Sequence, residues 1–337
     1  MASAVPMNPV MSKRATTGGT AVTAVVLAIA GAGLAAPVPR GASPSEPGGC
    51  EVLPATDAFH QDVSGLGEAQ SSEAVIDRIL TDGGDTLHPD FGSNPKYGIP
   101  VETVGADRKR VQVKLKAYPH ESDPGPHPIP RNARVEGGRR SNGDRHVLVL
   151  ERDGDDTGEA CRLIELYRAF PPKDGKPWKA DQASVFDLGQ DLPQRPDGWT
   201  SADAAGLPIL PGLVRYDEVH AGLIDHAIRI TFERTRRAYL SPAGHFASQE
   251  CNASLPPMGM RLRLREGFEL AGMADDARTI AQALKTYGAI VADNGSNFFI
   301  TGASDERWDD DALSDLKGIP GNAFEVVDTG AALTSGC

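Results

Sequence analysis

The sequence predicts a mainly-β (α+β) chain, an antiparallel β-sandwich or barrel-like core with two or three peripheral helices. Three observations predict it. About ten short runs either alternate or are continuously apolar, the patterns left by half-buried and fully buried strands. Turn chemistry separates them, with 37 glycines and 26 prolines in 337 residues, and few segments carry helical spacing. No Gly-rich phosphate turn, P-loop, GxSxG elbow or HExxH is present, which excludes a βαβ dinucleotide fold and the commonest hydrolase and zincin signatures.

Taken in order, residues 1–36 place Lys13 and Arg14 before the apolar run TAVTAVVLAIAGAGLAA. That is the pattern of a secretory signal peptide, with an uncleaved anchor as the alternative. Residues 37–49 (PVPRGASPSEPGG) are Pro, Gly and Ser, which predicts a disordered linker. A single β-rich globular domain is expected over residues 50–337. Ser71 or Ser72 caps the amphipathic EAVIDRIL helix, and a short strand follows near residues 99–104. Residues 109–118 (KRVQVKLKAY) alternate strictly, predicting a half-buried antiparallel strand whose solvent face, with Arg110, Lys114 and Lys116, could meet an acidic sugar. The Pro/Gly loop after it carries Glu121, Asp123 and His127 as candidate cleft residues.

Residues 145–151 (RHVLVLE) and 161–170 (CRLIELYRAF) read as a hairpin across an acidic turn. Its Asp153, Asp155 and Asp156 form only part of a calcium loop, because the closing Glu is missing. Residues 178–187 supply one more strand. After the central span, residues 237–240 and 260–265 (MRLRLR) are further strands, the second with Arg261, Arg263 and Arg265 on one face. Residues 275–287 form the clearest helix, with acidic residues first and Gly288 just beyond its end. Residues 289–293 and 298–301 then predict a hairpin across Asn294-Gly295. A short capped helix over 309–317 and a strand over 324–327 close the chain.

The four cysteines, Cys50, Cys161, Cys251 and Cys337, are an even number in a chain expected to be exported. Two disulfides follow, with three connectivities open and one bridge holding the C-terminus to the body. Hydrophobic content of 40% and charged content of 24% are those of an ordinary globular protein. The net charge of −12 argues against nucleic acid or an anionic membrane as partner, so no membrane contact is expected after signal cleavage.

Chemistry concentrates between Trp199 and His245. Thr200, Ser201 and Asp203 cap a turn closed by Gly206, and LPILPGLV (207–214) is an apolar segment that its prolines pin into a fixed path. Arg215, Tyr216, Asp217 and Glu218 open a helical turn, and HAIRITF (226–232) alternates as a strand. Hydrolysis of a glycosidic bond needs two carboxyl groups of unequal pKa. Asp203, Asp217 and Glu218 are therefore the candidate acid and base, with Arg215 to tune them and His245 beside them. Trp199, Tyr216, His226, Arg263 and Asp293 are the candidate substrate-binding residues. No cofactor is expected.

The stretches GWTSADAAGLPILPGLVRYDEV, LPPMGMRLRLR and ADNGSNFFITGASDERWDDD resemble an uncharacterised family of secreted bacterial proteins, over most of residues 87–328. The resemblance implies export and a single domain; no activity or catalytic residue comes with it. The expectation is thus a secreted, monomeric carbohydrate-active enzyme acting on an extracellular glycan or cell-wall polysaccharide. The alternative is a non-catalytic glycan- or wall-binding protein. Two further readings are a polysaccharide lyase using His245 or Tyr239 as base with Arg263 on the substrate carboxylate, and a metal enzyme built on His146, His226 and His245.

Overall fold

Short apolar runs become short strands. A computed structural model describes residues 46–152, 161–173 and 176–337; the segment expected as a signal peptide, most of the expected linker and the incomplete calcium pattern lie outside them. In chain order the strands are His88–Pro89 (β1), Val101–Gly105 (β2), Val113–Leu115 (β3), Val147–Arg152 (β4), Cys161–Tyr167 (β5), Trp178–Ala180 (β6) and Gln182–Asp187 (β7). Ile228–Phe232 (β8), Ala238–Leu240 (β9), Arg261–Leu264 (β10), Ala289–Asn294 (β11), Phe299–Ile300 (β12), Phe324–Val326 (β13) and Leu333–Ser335 (β14) follow. The helices are Ser72–Asp82 (α1), Tyr216–His220 (α2), Asp275–Thr286 (α3) and Asp310–Ser314 (α4).

Strand outweighs helix, but the sheets are mixed rather than purely antiparallel. The larger sheet has the order β1-β12-β8-β11-β10-β13, with β8 and β11 parallel at its centre. A second sheet, β2-β4-β5-β7, pairs β2 and β4 in parallel and the rest antiparallel. Two ribbons, parallel β3-β6 and antiparallel β9-β14, complete the pairing among the described residues.

Burial explains where local patterns were overridden. The hairpin expected across Asn294-Gly295 does not form, because β8 lies between β11 and β12 and pairs with both. Ile228, Ile230 and Phe232 of β8 are fully buried, and centring the most apolar strand outweighs one favourable turn. Residues 109–118 yield only β3, which pairs in parallel with β6 rather than antiparallel. Residues 178–187 break at Asp181, where the chain steps from β6, paired with β3, to β7, paired with β5.

The second sheet is covered on both faces. Leu148, Leu150, Leu163 and Phe186 join the main core, whereas Val147, Val149, Ile164 and Leu166 join a smaller core with Trp178 and Ile129. Burial on both sides is why β4 and β5 read as continuous apolar runs. Helix α3 buries Ala277, Ile280, Ala281 and Leu284 and packs against β10. The LPILPGLV segment is buried throughout and turns at Leu210–Gly212. A Cβ at Gly212 would lie 2.8 Å from the Cβ of Arg229, so the segment can approach β8 this closely only with glycine there.

The bridges are Cys50–Cys161 and Cys251–Cys337, with Cα atoms 5.9 and 5.8 Å apart. Among the described residues no helix is long and apolar enough to cross a membrane. The bridges close 111 and 86 residues of chain, so each constrains the unfolded state by about 5 kcal/mol. Replacing Cys50 and Cys161, both buried, by alanine is expected to lower the urea unfolding free energy by about that much. The Cys251/Cys337 double variant should lose less, because its exposed C-terminal tail regains freedom in the folded state as well.

Candidate functional site

Arg229 stands on the face of β8 opposite the apolar side chains of Ile228, Ile230 and Phe232, because strand residues alternate. It is almost fully buried. A buried guanidinium needs partners for its donors, and three elements supply them. Asp203 takes it in bidentate fashion, Oδ2 accepting from Nε at 2.7 Å and Oδ1 from Nη2 at 2.8 Å. Thr301 Oγ1 accepts from Nη1 at 2.7 Å, and Asp293 Oδ2 from Nη2 at 3.0 Å. One nitrogen thus serves two carboxyl groups, whose bound oxygens lie within 5.8 Å of each other, the sum of the 2.8 and 3.0 Å contacts.

Local backbone features aim both aspartates. The β8-β11 register slips between Val291 and Asp293, so that Asp293 lies opposite Thr231, on the Arg229 face. That irregularity re-aims the side chain as a bulge does. The Ala292 carbonyl accepts from Ala205 N at 2.8 Å, docking the Asp203 turn onto the same spot. Within the turn, Ser201 Oγ accepts from Asp203 N at 2.9 Å and donates to Leu207 O at 2.6 Å. The anticipated capped turn is therefore present, closed by Gly206 at φ +75°.

Further charges are buried around this pair. His146 engages Glu136 Oε2 through Nδ1 at 2.8 Å and the Ala202 carbonyl through Nε2 at 3.1 Å. Both partners are acceptors, so both ring nitrogens donate and the ring is an imidazolium. Burial opposes the charges on this pair, but their mutual attraction prevails, raising His146 to about 9 and lowering Glu136 to about 2. Glu165, wholly buried on β5, accepts from Ile209 N at 2.9 Å and Leu210 N at 3.1 Å, satisfying backbone donors of the buried LPILPGLV segment. Burial raises this carboxyl to about 7.

Asp293 differs from Asp203 in what remains for it. Burial, reinforced by the neighbouring Asp203 charge, pushes it up to about 8 despite the pull of Arg229 and His146. A cavity of about 260 Å³ opens on it, lined among others by Tyr118, Asp144, Tyr167, Asp203 and His245. Asp144 is exposed. Tyr167 is raised to about 12 by burial and by Asp144 and Asp293, so its phenol stays a donor. His245 Nδ1 is 2.7 Å from the Ala204 carbonyl and donates to it. Glu121 and Asp123 back the cavity, Glu121 Oε2 accepting from Thr200 N at 3.0 Å and Asp123 Oδ2 from Arg195 Nη1 at 2.6 Å.

Of the residues singled out in the sequence, Asp203, His245 and Asp293 come together here; the others do not line this cavity. Glu218 is wholly buried, accepting from Arg215 N at 2.7 Å and pairing with Arg215 Nη2 at 2.6 Å and His226 Nε2 at 3.2 Å. That cluster forms the capping box of α2, a structural use of the pattern read as catalytic. Burial would raise Glu218, yet Arg215 and His226 hold it low. Asp217 is exposed and pairs with Arg307, whose guanidinium lies 4.2 Å from the centre of the Tyr216 ring. Trp199 packs on Arg195 at 5.7 Å. Arg263 is held by Glu325 and the carbonyls of Val63, Ser64 and Leu66, and Tyr239 donates to Asp197, so of the groups expected to run an elimination only His245 lines the cavity.

The histidine metal site does not assemble either. His146 and His226 have both ring nitrogens engaged, by Glu136 and Ala202 and by Ala227 and Glu218 respectively. Among the described residues no group of three or more His, Cys, Asp and Glu side chains is placed to hold a metal ion. Comparison with protein-family models, with curated proteins and with solved structures returns no match.

Asp293 carries a definite stability signature. Its folded pKa of about 8 lies above the ordinary 3.8, so the folded state binds the extra proton and stability falls as pH rises between those values. Asp293→Asn removes that cost. The variant is expected to be more stable than the parent at pH 8, by on the order of 2 kcal/mol after discounting for the partial exposure of the side chain at the cavity. The difference should close as pH approaches 4, in urea titrations at both pH values. Equal stability at pH 8 would contradict the assignment.

Proposed function

We propose that this chain hydrolyses glycosidic bonds of an extracellular polysaccharide, acting as a monomer. The supporting observation is the carboxyl of Asp293, kept protonated near neutral pH beside the Asp203–Arg229 pair on the wall of a cavity that Asp144 also lines. In this reading Asp293 protonates the leaving glycosidic oxygen. Asp144 takes a proton from the attacking water, whose oxygen bonds the anomeric carbon as the glycosidic bond breaks. Solvent then returns both groups to their starting states. Asp203 has both oxygens committed to Arg229, so it tunes Asp293 rather than attacking.

Tyr118 and Tyr167 offer ring faces and hydroxyls suited to a sugar, and His245 contributes a further polar contact. Two disulfides suit an oxidising, extracellular setting. The engagement of all three Arg229 nitrogens by protein partners favours one second reading, in which the same cavity holds a glycan without cutting it.

Product masses after incubation with neutral and acidic polysaccharides distinguish these. Hydrolysis predicts products heavier by one water, with Asp293→Asn and Asp144→Asn each reducing kcat by about 10²- to 10⁴-fold. The rate should fall as pH rises through about 8, where Asp293 gives up its proton. Unsaturated products would establish elimination instead, and retention without cleavage across the panel would establish a binding protein.

A further inference from the structure

The ribbon of β3 and β6 concentrates positive charge on a chain of net charge −12. Lys114 lies on β3 in register with Lys179 across the pair, so these two share one face, and Lys116 follows just past the end of β3. All three are exposed. The other face is apolar, with Trp178 and Ala180 fully buried in the smaller core. Like charges directly opposite each other destabilise a ribbon, yet acids near the strip are already neutralised by arginines. Arg168 pairs with Asp181 at 3.0 Å, and Arg110 and Arg162 pair with Glu151 at 2.5 and 2.7 Å. Among the described residues the three lysines have no ion-pair partner.

Aromatic rings bound the strip. Phe170 bridges Lys179 through reciprocal backbone bonds of 2.7 and 3.1 Å, which places its ring, 41% exposed, on the same face. Arg145 braces that ring from 4.5 Å. At the other end β3 runs into Tyr118, 41% exposed, which lines the Asp293 cavity. The Asp181 carbonyl fixes this junction, accepting from Ala117 N at 3.2 Å and Tyr118 N at 2.9 Å. A row of unpaired ammonium groups flanked by exposed rings is suited to a sugar chain that carries acidic groups. Carboxylates meet the lysines, and pyranose faces lie on the rings.

We propose that the Lys114, Lys116, Lys179 and Phe170 face is a docking strip for an anionic polysaccharide whose chain continues past Tyr118 into the cavity. This rests on the glycan-cleaving reading and assigns it a substrate class, the uronate-bearing polymers. The strip is only two strands wide, so it accommodates a single chain better than a duplex or a bilayer. A cavity lined by carboxyl groups at its end suits a glycosidic oxygen better than a further phosphate.

Affinity electrophoresis and calorimetry of the Asp293→Asn chain test this with polygalacturonate, alginate and hyaluronan against neutral dextran. At least one uronate polymer should be retained at low salt and released at high salt. The Lys114→Gln/Lys116→Gln/Lys179→Gln triple variant, checked by thermal melting, should lose about tenfold in affinity for it with dextran unchanged. Equal affinity of the triple variant, tighter binding to single-stranded DNA or anionic vesicles, or no uronate retention would overturn the inference. Salt-sensitive retention without cleavage by the unsubstituted chain would overturn the hydrolase and leave the strip standing. Cleavage confined to neutral glycans would do the reverse.

Discussion

The buried guanidinium of Arg229 is the constraint on which the rest of the site depends. It sits in the central strand of the larger sheet and joins the Asp203 turn, Thr301 and Asp293 through four hydrogen bonds. A buried charge that loses its partners is strongly destabilising, whereas a satisfied one fixes geometry. The close approach of Gly212 to β8 and the register slip before Asp293 are the accommodations that let those partners converge. Glu165 performs the matching task beneath, satisfying backbone donors of the segment that crosses over β8.

The same arrangement separates the behaviour of two chemically identical side chains. Asp203 has two charge-assisted bonds to Arg229, whereas Asp293 has one, in a site already holding a neighbouring carboxylate. Charge repulsion and burial then act on Asp293 with less compensation, and it retains its proton. The Glu136–His146 ion pair is internally compensated, so it braces the Ala202 carbonyl without neutralising Asp293. An acid held protonated against bulk water is costly to the fold, a cost that natural chains tolerate where a proton has a use.

Much of this was legible in the chain, for identifiable reasons. Helices α1 and α3, strands β4, β5, β8, β10 and β13, and the even cysteine count all carry local signals that burial reinforces. Asp203, His245 and Asp293 were visible as polar residues at turns and strand ends. Arg229 was passed over, although a charge set among the apolar residues of HAIRITF is the signal that could have found it. Asp144, Tyr167 and Glu136 were not visible, and His146 was read only as a metal candidate, because their neighbours in the site come from segments distant in sequence. Glu218 misled because a capping box and a catalytic carboxylate beside arginine look alike without coordinates. The parallel β8-β11 pairing was hidden for a similar reason, since alternation reports which face is buried and says nothing of the neighbour.

The most direct test is a carbon-13 NMR titration of the Asp293 carboxyl in the full chain, assigned by comparison with Asp293→Asn. A midpoint near about 8 is predicted, from burial and the Asp203 charge acting against Arg229. A midpoint in the ordinary aspartate range near 3.8 would show that Arg229 compensates both carboxylates. It would remove the acid on which the account of this site depends.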